Sequence, residues 1–339
     1  MEDKMENKNY STKAIVEAAL ISVIISIIMI LTSYLPIVSF IGTLILPIPV
    51  AILYIRYNMK VTVTAIFLSI ILTSILFNPI RAIYAAIPCI IIGIVLGYCV
   101  KKSKGPSITL LFLTIACSIS NVLTIAFSLS FIAKINFMDF SSKFIGAIKQ
   151  AMKISLDGAK NTYMQNGITP NQLEVLNRSY DMINKWDVAL FLAIIPAVIF
   201  INSLISAYLN YIVSRAILNK LNYKMEPVLP FSKICVSNIV GAVLIGMVCI
   251  GIILASKNIT GGKYIRSSSQ FLVQIIFIVN GLAASTYYLR VKKKLSKPIV
   301  ILILGLTMIS PLSDIYFSIG LMEMAFDFRK LDPYRIRRK

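Results

Sequence analysis

Two ionisable residues lie in or beside long apolar stretches, where a charge is costly to bury. Arg81 belongs to the turn Asn78-Pro79-Ile80-Arg81 between two such stretches, and Asp314 lies inside the last one. An arginine can hold a carboxylate or phosphate through two parallel hydrogen bonds, or it can anchor lipid headgroups at the membrane surface. Asp314 would be an intramembrane acid, and a lone buried carboxylate either takes up a proton or finds a basic partner.

Polar and aromatic side chains predicted on the same side of the membrane could complete a binding site around Arg81. Two tyrosines lie near the ends of apolar stretches, and an asparagine lies inside another. The sequence therefore predicts a pocket for a small solute. Its predicted substrate-binding residues are Tyr34, Asn78, Arg81, Tyr84 and Asn121. For the other amides, including Asn202, Asn210 and Asn280, hydrogen bonding between helices is the expected role.

The residue inventory excludes several kinds of catalysis. Histidine is absent from the 339 residues, which removes the commonest proton shuttle and metal ligand and every Ser-His-Asp or Cys-His arrangement. The chain has no glycine-rich ATP-binding loop of the Walker type. Its five cysteines lie in or beside apolar stretches without a CxxC pair, as small core residues do. We therefore expect no enzyme activity, no catalytic residue, no cofactor, no metal site and no nucleic-acid partner.

Long apolar stretches must position these residues. A hydrocarbon core of about 30 Å requires about 20 apolar helical residues. The chain is 58% hydrophobic with a net charge of +20. Its apolar stretches are residues 14–35, 37–55, 61–77, 80–100, 107–133, 188–213, 234–255, 270–289 and 298–321. The pattern predicts an all-α, polytopic transmembrane helical bundle with about eight crossings and an outer amphipathic helical hairpin.

The distribution of Lys and Arg predicts the orientation. Most basic residues of the short loops fall on the side of the N-terminus, whereas the opposite short loops hold only Arg81, Lys257, Lys263 and Arg266. The positive-inside rule then places the N-terminus of a multi-pass membrane protein in the cytoplasm. The basic C-terminal tail belongs inside by the same rule. Both ends can be inside only if one stretch does not cross fully, and the last stretch, interrupted by Pro311, is the expected exception.

Five segments follow from this pattern: a cytoplasmic N-terminus (1–13), a five-helix membrane module (14–133), an extracytoplasmic helical insertion (134–187), a C-terminal membrane module (188–325) and a basic cytoplasmic tail (326–339). The insertion has amphipathic spacing, with Phe140, Phe144, Ile148 and Met152 on one face. It could lie on the bilayer, cap the bundle, or act as a lid over an outward-facing cavity.

Motifs along most of the chain resemble those of one family. They are Thr12-Lys-Ala-Ile-Val-Glu-Ala-Ala-Leu20, the Leu35–Tyr57 segment with its three prolines, Leu229-Pro-Phe231 and Gly320-Leu-Met-Glu-Met-Ala-Phe-Asp-Phe-Arg-Lys330. The chain is similar to the YybS-like bacterial membrane proteins, a domain of unknown function. Glu323 occupies a position where that family commonly has aspartate, which keeps the charge on a longer side chain.

The N-terminal part, to about Lys104, is also similar to the substrate-binding S components of energy-coupling-factor transporters. That resemblance implies a six-helix unit that binds a vitamin-like molecule from outside and works with membrane coupling and ATPase subunits. It also implies partner docking through Ala14 and Ala18 of Ala14-Ile-Val-Glu-Ala18. Ordinary internal packing explains the same spacing, because small residues four apart let helices approach closely.

Three functions remain open. The first is a non-enzymatic membrane protein that binds or transports a small solute. The alternative is an envelope assembly or regulatory membrane protein that binds protein partners and no solute. The third, a membrane enzyme acting on lipid, lacks a recognisable catalytic group in the sequence.

Overall fold

The computed structural model describes residues 12–165, 167, 170–185, 187–259, 261–309 and 313–331. Thirteen α-helices cover most of this part of the chain, and no strand occurs in it. Their bounds are α1 Thr12–Tyr34, α2 Pro36–Ile45, α3 Pro47–Arg56, α4 Met59–Leu76, α5 Pro79–Lys101, α6 Pro106–Phe127, α7 Phe137–Gln165, α8 Pro170–Asn184, α9 Val188–Lys220, α10 Asn238–Ser256, α11 Gly262–Tyr287, α12 Lys297–Ile309 and α13 Ser313–Phe326.

Seven of the described helical segments are long and apolar enough to cross a membrane. This confirms the predicted all-α, polytopic helical bundle. Short π-helical turns at Ser128–Ala133 and Tyr288–Lys292 extend α6 and α11. Polar N-caps and prolines set several helix starts, since Asn58 caps α4, Ser237 caps α10, and Pro79 follows the Asn78 cap of α5.

The chain forms two compact units, and α9 contributes to both. The first unit contains residues 12–136 and Ile199–Val228, so it holds α1 to α6 and the later part of α9. The second contains Phe137–Val198 and the chain from Leu229 onward. The later part of α9 therefore packs with the N-terminal helices in the first unit. The sequence analysis had placed this helix in the C-terminal membrane module.

Close packing of α3 against α5 organises the first unit. The position where a Cβ would be added to Gly93 is 2.6 Å from Val50 Cβ, and that of Gly97 is 3.1 Å from the Ala51 carbonyl oxygen. A buried apolar cluster joins α3, α5, α6 and α9 and includes Leu96 and Tyr211. A second cluster joins α1, α3, α4 and α5.

The second unit contains the predicted hairpin of the insertion, formed by α7 and α8. The phenol of Tyr180 donates a hydrogen bond to Asp157, and this bond raises the pKa of Tyr180. Lys149 Nζ donates to the Asn184 carbonyl at 3.3 Å. The hairpin's role as a lid stays a prediction.

The last apolar stretch is divided between two short helices. At a rise of 1.5 Å per residue, α12 and α13 are each roughly 20 Å long, shorter than the hydrocarbon core of about 30 Å. The division falls where the sequence places Pro311, a residue that lies outside the described part of the chain. The cytoplasmic location of the C-terminal tail stays a prediction.

Candidate functional site

A cavity of about 580 Å³ lies inside the first unit. Residues of α1, α2, α5, α6 and α9 line it, together with Ile132 beyond α6. Its polar lining residues are Thr32, Ser33, Thr43, Arg81, Tyr84, Ser120, Asn121, Thr124, Asn202, Ser206 and Asn210. The cavity is lined by helices that carry hydroxyl and amide groups. Its size and lining suit a small organic solute.

Arg81 brings the positive charge to this cavity. Asn78 Oδ1 accepts hydrogen bonds from the backbone N–H groups of Ile80 and Arg81, which fixes the start of α5. The exposed guanidinium lies 5.8 Å from the Phe77 ring centroid and 3.4 Å from the Ser33 carbonyl oxygen. Neither contact neutralises its charge. Arg81 is also the only charged residue among the described residues that line the cavity.

A polar contact between α6 and α9 forms one wall. Asn121 Nδ2 donates to Ser203 Oγ at 2.9 Å, and Ser203 in turn donates to the Ile199 carbonyl at 2.7 Å. Tyr84 stands one turn after Arg81 on α5 and is 39% exposed. Tyr84 and Asn121 therefore line the same cavity as Arg81.

Asn210 lies at the opposite end of the cavity, and its side chain has unused hydrogen-bonding capacity. It is 2% exposed, and its Nδ2 donates to the Ser206 carbonyl at 2.9 Å. Asn210 Oδ1 has no hydrogen-bond partner among the described residues. A buried acceptor without a partner costs about 1–3 kcal/mol, and Ser214 Oγ on the same helix is also without a partner among the described residues.

The cavity is deep and ends inside the unit. On α5 it extends from Arg81 to Ile92, roughly 17 Å along the helix axis. Ile92 and Cys117 belong both to its lining and to the apolar cluster beneath it, which also contains Leu96, Leu113 and Tyr211. Solvent-exposed Arg81 and Tyr84 mark the mouth, and packed side chains form the floor.

A polar network lies at the other end of the first unit, beyond the floor. Arg56 donates to the Glu17 carboxylate and, at 3.0 Å, to the Tyr223 hydroxyl. Tyr57 also donates to Glu17, and this bond raises the pKa of the Tyr57 phenol. Lys101 Nζ donates to the Tyr54 and Tyr57 carbonyl oxygens. These bonds join the ends of α1, α3 and α5 to the loop after α9.

The structure brings three of the five predicted pocket residues, Arg81, Tyr84 and Asn121, to one cavity. The other two lie elsewhere. Asn78 uses its side chain to cap α5, and Tyr34 is 63% exposed with its ring 4.6 Å from that of Phe77. Asn78 and Tyr34 are therefore not among the residues that line this cavity, and their substrate-binding role stays a prediction.

Three lining residues on α9 were not among the predicted pocket residues: Asn202, Ser206 and Asn210. Their spacing of four residues places them on one helical face, and Ser214 continues the series. A polar stripe on an otherwise apolar helix was the available signal. The sequence alone could not assign α9 to the same unit as α5 and α6.

The small-residue motif on α1 faces α4 within the first unit. Ala14 is 4% exposed, and Ala14 and Ala18 lie in a groove with Val61 and Ala65. Ser22 Oγ, two turns after Ala14, lies 2.9 Å from the Ala65 carbonyl oxygen. Internal packing is the geometry found here, whereas partner docking through these alanines stays a prediction.

Asp314 lies in the first turn of α13 and is exposed. It is therefore not buried among the described residues of the second unit, and its role as an intramembrane acid stays a prediction. A carboxylate in the first turn interacts favourably with the positive end of the helix dipole.

A buried ion pair lies at the other end of α13. Arg329 Nε donates to Glu323 Oε1 at 2.7 Å, and the two side chains are 0% and 3% exposed. Arg329 also donates to Asn280 Oδ1 and to the Ser232 carbonyl. The sequence had placed Arg329 in the basic tail, because spacing alone does not distinguish a buried arginine from a solvated one.

Comparison with known proteins gives one family. The family model described as "Predicted membrane protein (DUF2232)" matches residues 23–324, which include every residue lining the cavity of the first unit. No curated protein and no solved structure matches the chain.

Proposed function

The chain belongs to the DUF2232 family of predicted membrane proteins, and we propose that its first unit binds a small anionic solute for uptake across the membrane. The observation that carries this proposal is the cavity in which Arg81 is the sole charged lining residue of the described part. The protein acts in this proposal as a binding protein and catalyses no reaction.

The ligand class follows from the two ends of the cavity. Arg81 at the mouth provides donors in the fork geometry that matches a carboxylate or phosphate. Asn210 at the floor provides an acceptor that lacks a partner. A ligand with an acidic group and, at its other end, an N–H or O–H donor would satisfy both. Hydroxyl and amide groups between them, on Thr124, Asn121 and Ser206, suit a ligand with further polar atoms.

The proposed orientation places the cavity mouth on the outer side of the bacterial plasma membrane. Arg81 lies at the beginning of α5, and Lys101 and Lys102 lie at its end. The positive-inside rule puts the lysine end, and with it the N-terminus, in the cytoplasm. The solute would therefore enter from outside and stop at the packed floor above Ile92 and Cys117.

The closed inner end supports a transporter that depends on other subunits. Passage of a solute would require the apolar cluster to open and the Glu17–Arg56–Tyr57 network to separate. The chain has no ATP-binding loop to drive such a change. We therefore propose that the chain is related to transporter S components and that membrane coupling and ATPase subunits supply the energy. Membership of the YybS-like group is part of the same proposal.

Replacing Arg81 should weaken binding of an anionic solute by about tenfold to a hundredfold. A charge-assisted hydrogen bond contributes about 1.5–3 kcal/mol, and 1.4 kcal/mol corresponds to a factor of ten. Purified full-length protein would be screened by thermal shift against small carboxylates and organic phosphates, each paired with its neutral amide or alcohol. Acids that stabilise the wild type should stabilise Arg81→Ala only at much higher concentration.

Lys102→Ala is the matched control, because Lys102 is an exposed cation at the opposite end of the same helix. It should keep the full response, and Arg81→Lys should keep part of it. The proposal is wrong if no acid outperforms its neutral partner, or if Arg81→Ala and Lys102→Ala respond alike. The absence of any solute response would favour the assembly or regulatory role.

A further inference from the structure

The second unit contains a separate groove that the proposed solute site does not use. Its volume is about 540 Å³, and residues of α11, α12 and α13 line it with the Tyr288–Lys292 turn and Phe328. The apolar walls include Leu289, Ile303, Leu304, Ile315, Ile319 and Met322. We propose that this groove holds one acyl chain of an anionic phospholipid, with the lipid phosphate bound by the adjacent basic cluster.

Three polar residues of the groove, Thr307, Tyr316 and Glu323, are already engaged in hydrogen bonds. Thr307 and Tyr316 hydrogen bond to each other across the α12–α13 pair. The Glu323 carboxylate accepts hydrogen bonds from the backbone and side chain of Arg329. A polar solute would therefore lose its hydration in this groove and gain few hydrogen bonds. A hydrocarbon chain fits these walls without that cost.

The groove has a length suited to one leaflet. Ile315 and Met322 line it two turns apart on α13, a distance of roughly 10 Å along the helix. Half of a hydrocarbon core is about 15 Å thick. An acyl chain lying along α13 would thus remain at the depth of a single leaflet, and its headgroup would emerge near Tyr288 and Phe328.

The headgroup end is strongly basic. The basic cluster consists of Arg290, Lys292, Lys293, Lys294 and Lys297, all exposed. Lys292 Nζ lies 4.8 Å from the ring centroid of Tyr288, which itself lines the groove. No acidic residue occurs between Tyr288 and the end of α12. Clusters of this kind beside a membrane helix attract anionic lipid headgroups.

Charge complementarity therefore selects an anionic lipid over a zwitterionic one, and the groove selects a lipid over a free phosphate. The proposal depends on the charge and shape of the second unit and not on solute binding by the first. A result that contradicts one proposal would therefore not contradict the other.

The test uses the full-length protein in detergent micelles with lipids of identical acyl chains. Thermal unfolding would be followed with added phosphatidylglycerol, phosphatidylcholine or free glycerol 3-phosphate. Phosphatidylglycerol should raise the unfolding temperature more than phosphatidylcholine. Glycerol 3-phosphate should not raise it in Arg81→Ala, the variant in which the proposed solute site of the first unit is weakened. Replacing Arg290, Lys292 and Lys293 by Gln should lower the apparent affinity for phosphatidylglycerol by about tenfold to a hundredfold.

A groove variant separates specific binding from surface attraction. Ile319→Trp fills the groove and should remove the phosphatidylglycerol response with the basic cluster intact. If that variant unfolds early without added lipid, Met322→Trp at a more exposed position replaces it. Lys257→Gln/Lys263→Gln should leave the response unchanged, since Lys257 directly follows α10 and Lys263 lies in the first turn of α11.

Three results would overturn the proposal. Equal stabilisation by both lipids would show that the groove does not distinguish headgroup charge. Stabilisation of Arg81→Ala by glycerol 3-phosphate would identify a soluble phosphate ligand of the second unit. A change in oligomeric mass on Ile319→Trp, with the lipid response retained, would show that a second copy of the chain occupies the groove.

Discussion

Arg329→Met should destabilise the second unit by about 3–5 kcal/mol, the cost of leaving one member of a buried ion pair without its partner. The Glu323 carboxylate would remain almost fully buried with its strongest donor removed. Asn280 and the Ser232 carbonyl would each lose a hydrogen bond as well. Denaturant titration in mixed micelles, followed by a signal from the second unit, measures this loss.

Double replacement provides the decisive comparison for this pair. Arg329→Met/Glu323→Leu removes both charges, so it should recover part of the stability lost by either single variant. The exposed Glu174–Arg178 pair of α8 supplies a matched control, since its side chains are 61% and 75% exposed. Arg178→Met should cost less than about 0.5 kcal/mol. A loss below about 1 kcal/mol for Arg329→Met would contradict the buried network.

The second large effect concerns the contact between α11 and α13. A Cβ added to Gly281 would lie 1.9 Å from the Tyr316 carbonyl oxygen, and one added to Gly320 would lie 1.9 Å from that of Phe277. The obstacle on each side is backbone, which cannot rotate away as a side chain can. Gly281→Ala and Gly320→Ala should therefore each cost about 3 kcal/mol, the upper end of typical overpacking.

Gly246→Ala on α10 should not destabilise the protein as Gly281→Ala and Gly320→Ala do. Nothing lies within 4 Å of the position its Cβ would take, and alanine has a higher helix propensity than glycine. This control should leave stability unchanged or raise it by up to about 1 kcal/mol. Equal behaviour of Gly246→Ala and Gly281→Ala in the same titration would contradict the close approach of α11 and α13.

Much of the fold could be predicted because apolar length dominates in a membrane protein. Seven of the nine predicted apolar stretches correspond to helices long enough to span a membrane, whereas the stretch 37–55 forms the two short helices α2 and α3. Asn78 followed by Pro79 marked the start of α5. The break in the last stretch also followed from local chemistry, since a proline interrupts a helix. The structure accordingly has two short helices, α12 and α13, where the sequence has one apolar run.

Tertiary partners were harder to predict. Glu17 on α1 pairs with Arg56 and Tyr57 at the end of α3, about forty residues away in the sequence. Arg329 is six residues from Glu323, yet its burial depends on Asn280 and Ser232, which only the fold brings near. Such contacts depend on how the helices pack. The spacing of residues in the sequence does not determine that packing.

Part of the candidate site could be predicted and part could not. Arg81, Tyr84 and Asn121 were identified because polar groups are costly at membrane depth, and they do share a cavity. Asn210 was assigned a general role in joining helices. Its importance rests on a partnerless Oδ1 at the cavity floor, which depends on the position of α9.

The central claim, an outward-facing cavity with a positive charge at its mouth, is tested most directly by charge-selective thiol labelling in intact cells. All five cysteines would be replaced by alanine and Thr124→Cys introduced on the cavity wall. We predict that Thr124→Cys reacts faster with an anionic methanethiosulfonate than with a cationic one, and that Arg81→Ala removes this preference.

Ser103→Cys, beyond the other end of α5, is the control and should react only after permeabilisation. Labelling of Ser103→Cys in intact cells with Thr124→Cys unreactive, or a charge preference that Arg81→Ala leaves unchanged, would contradict the claim.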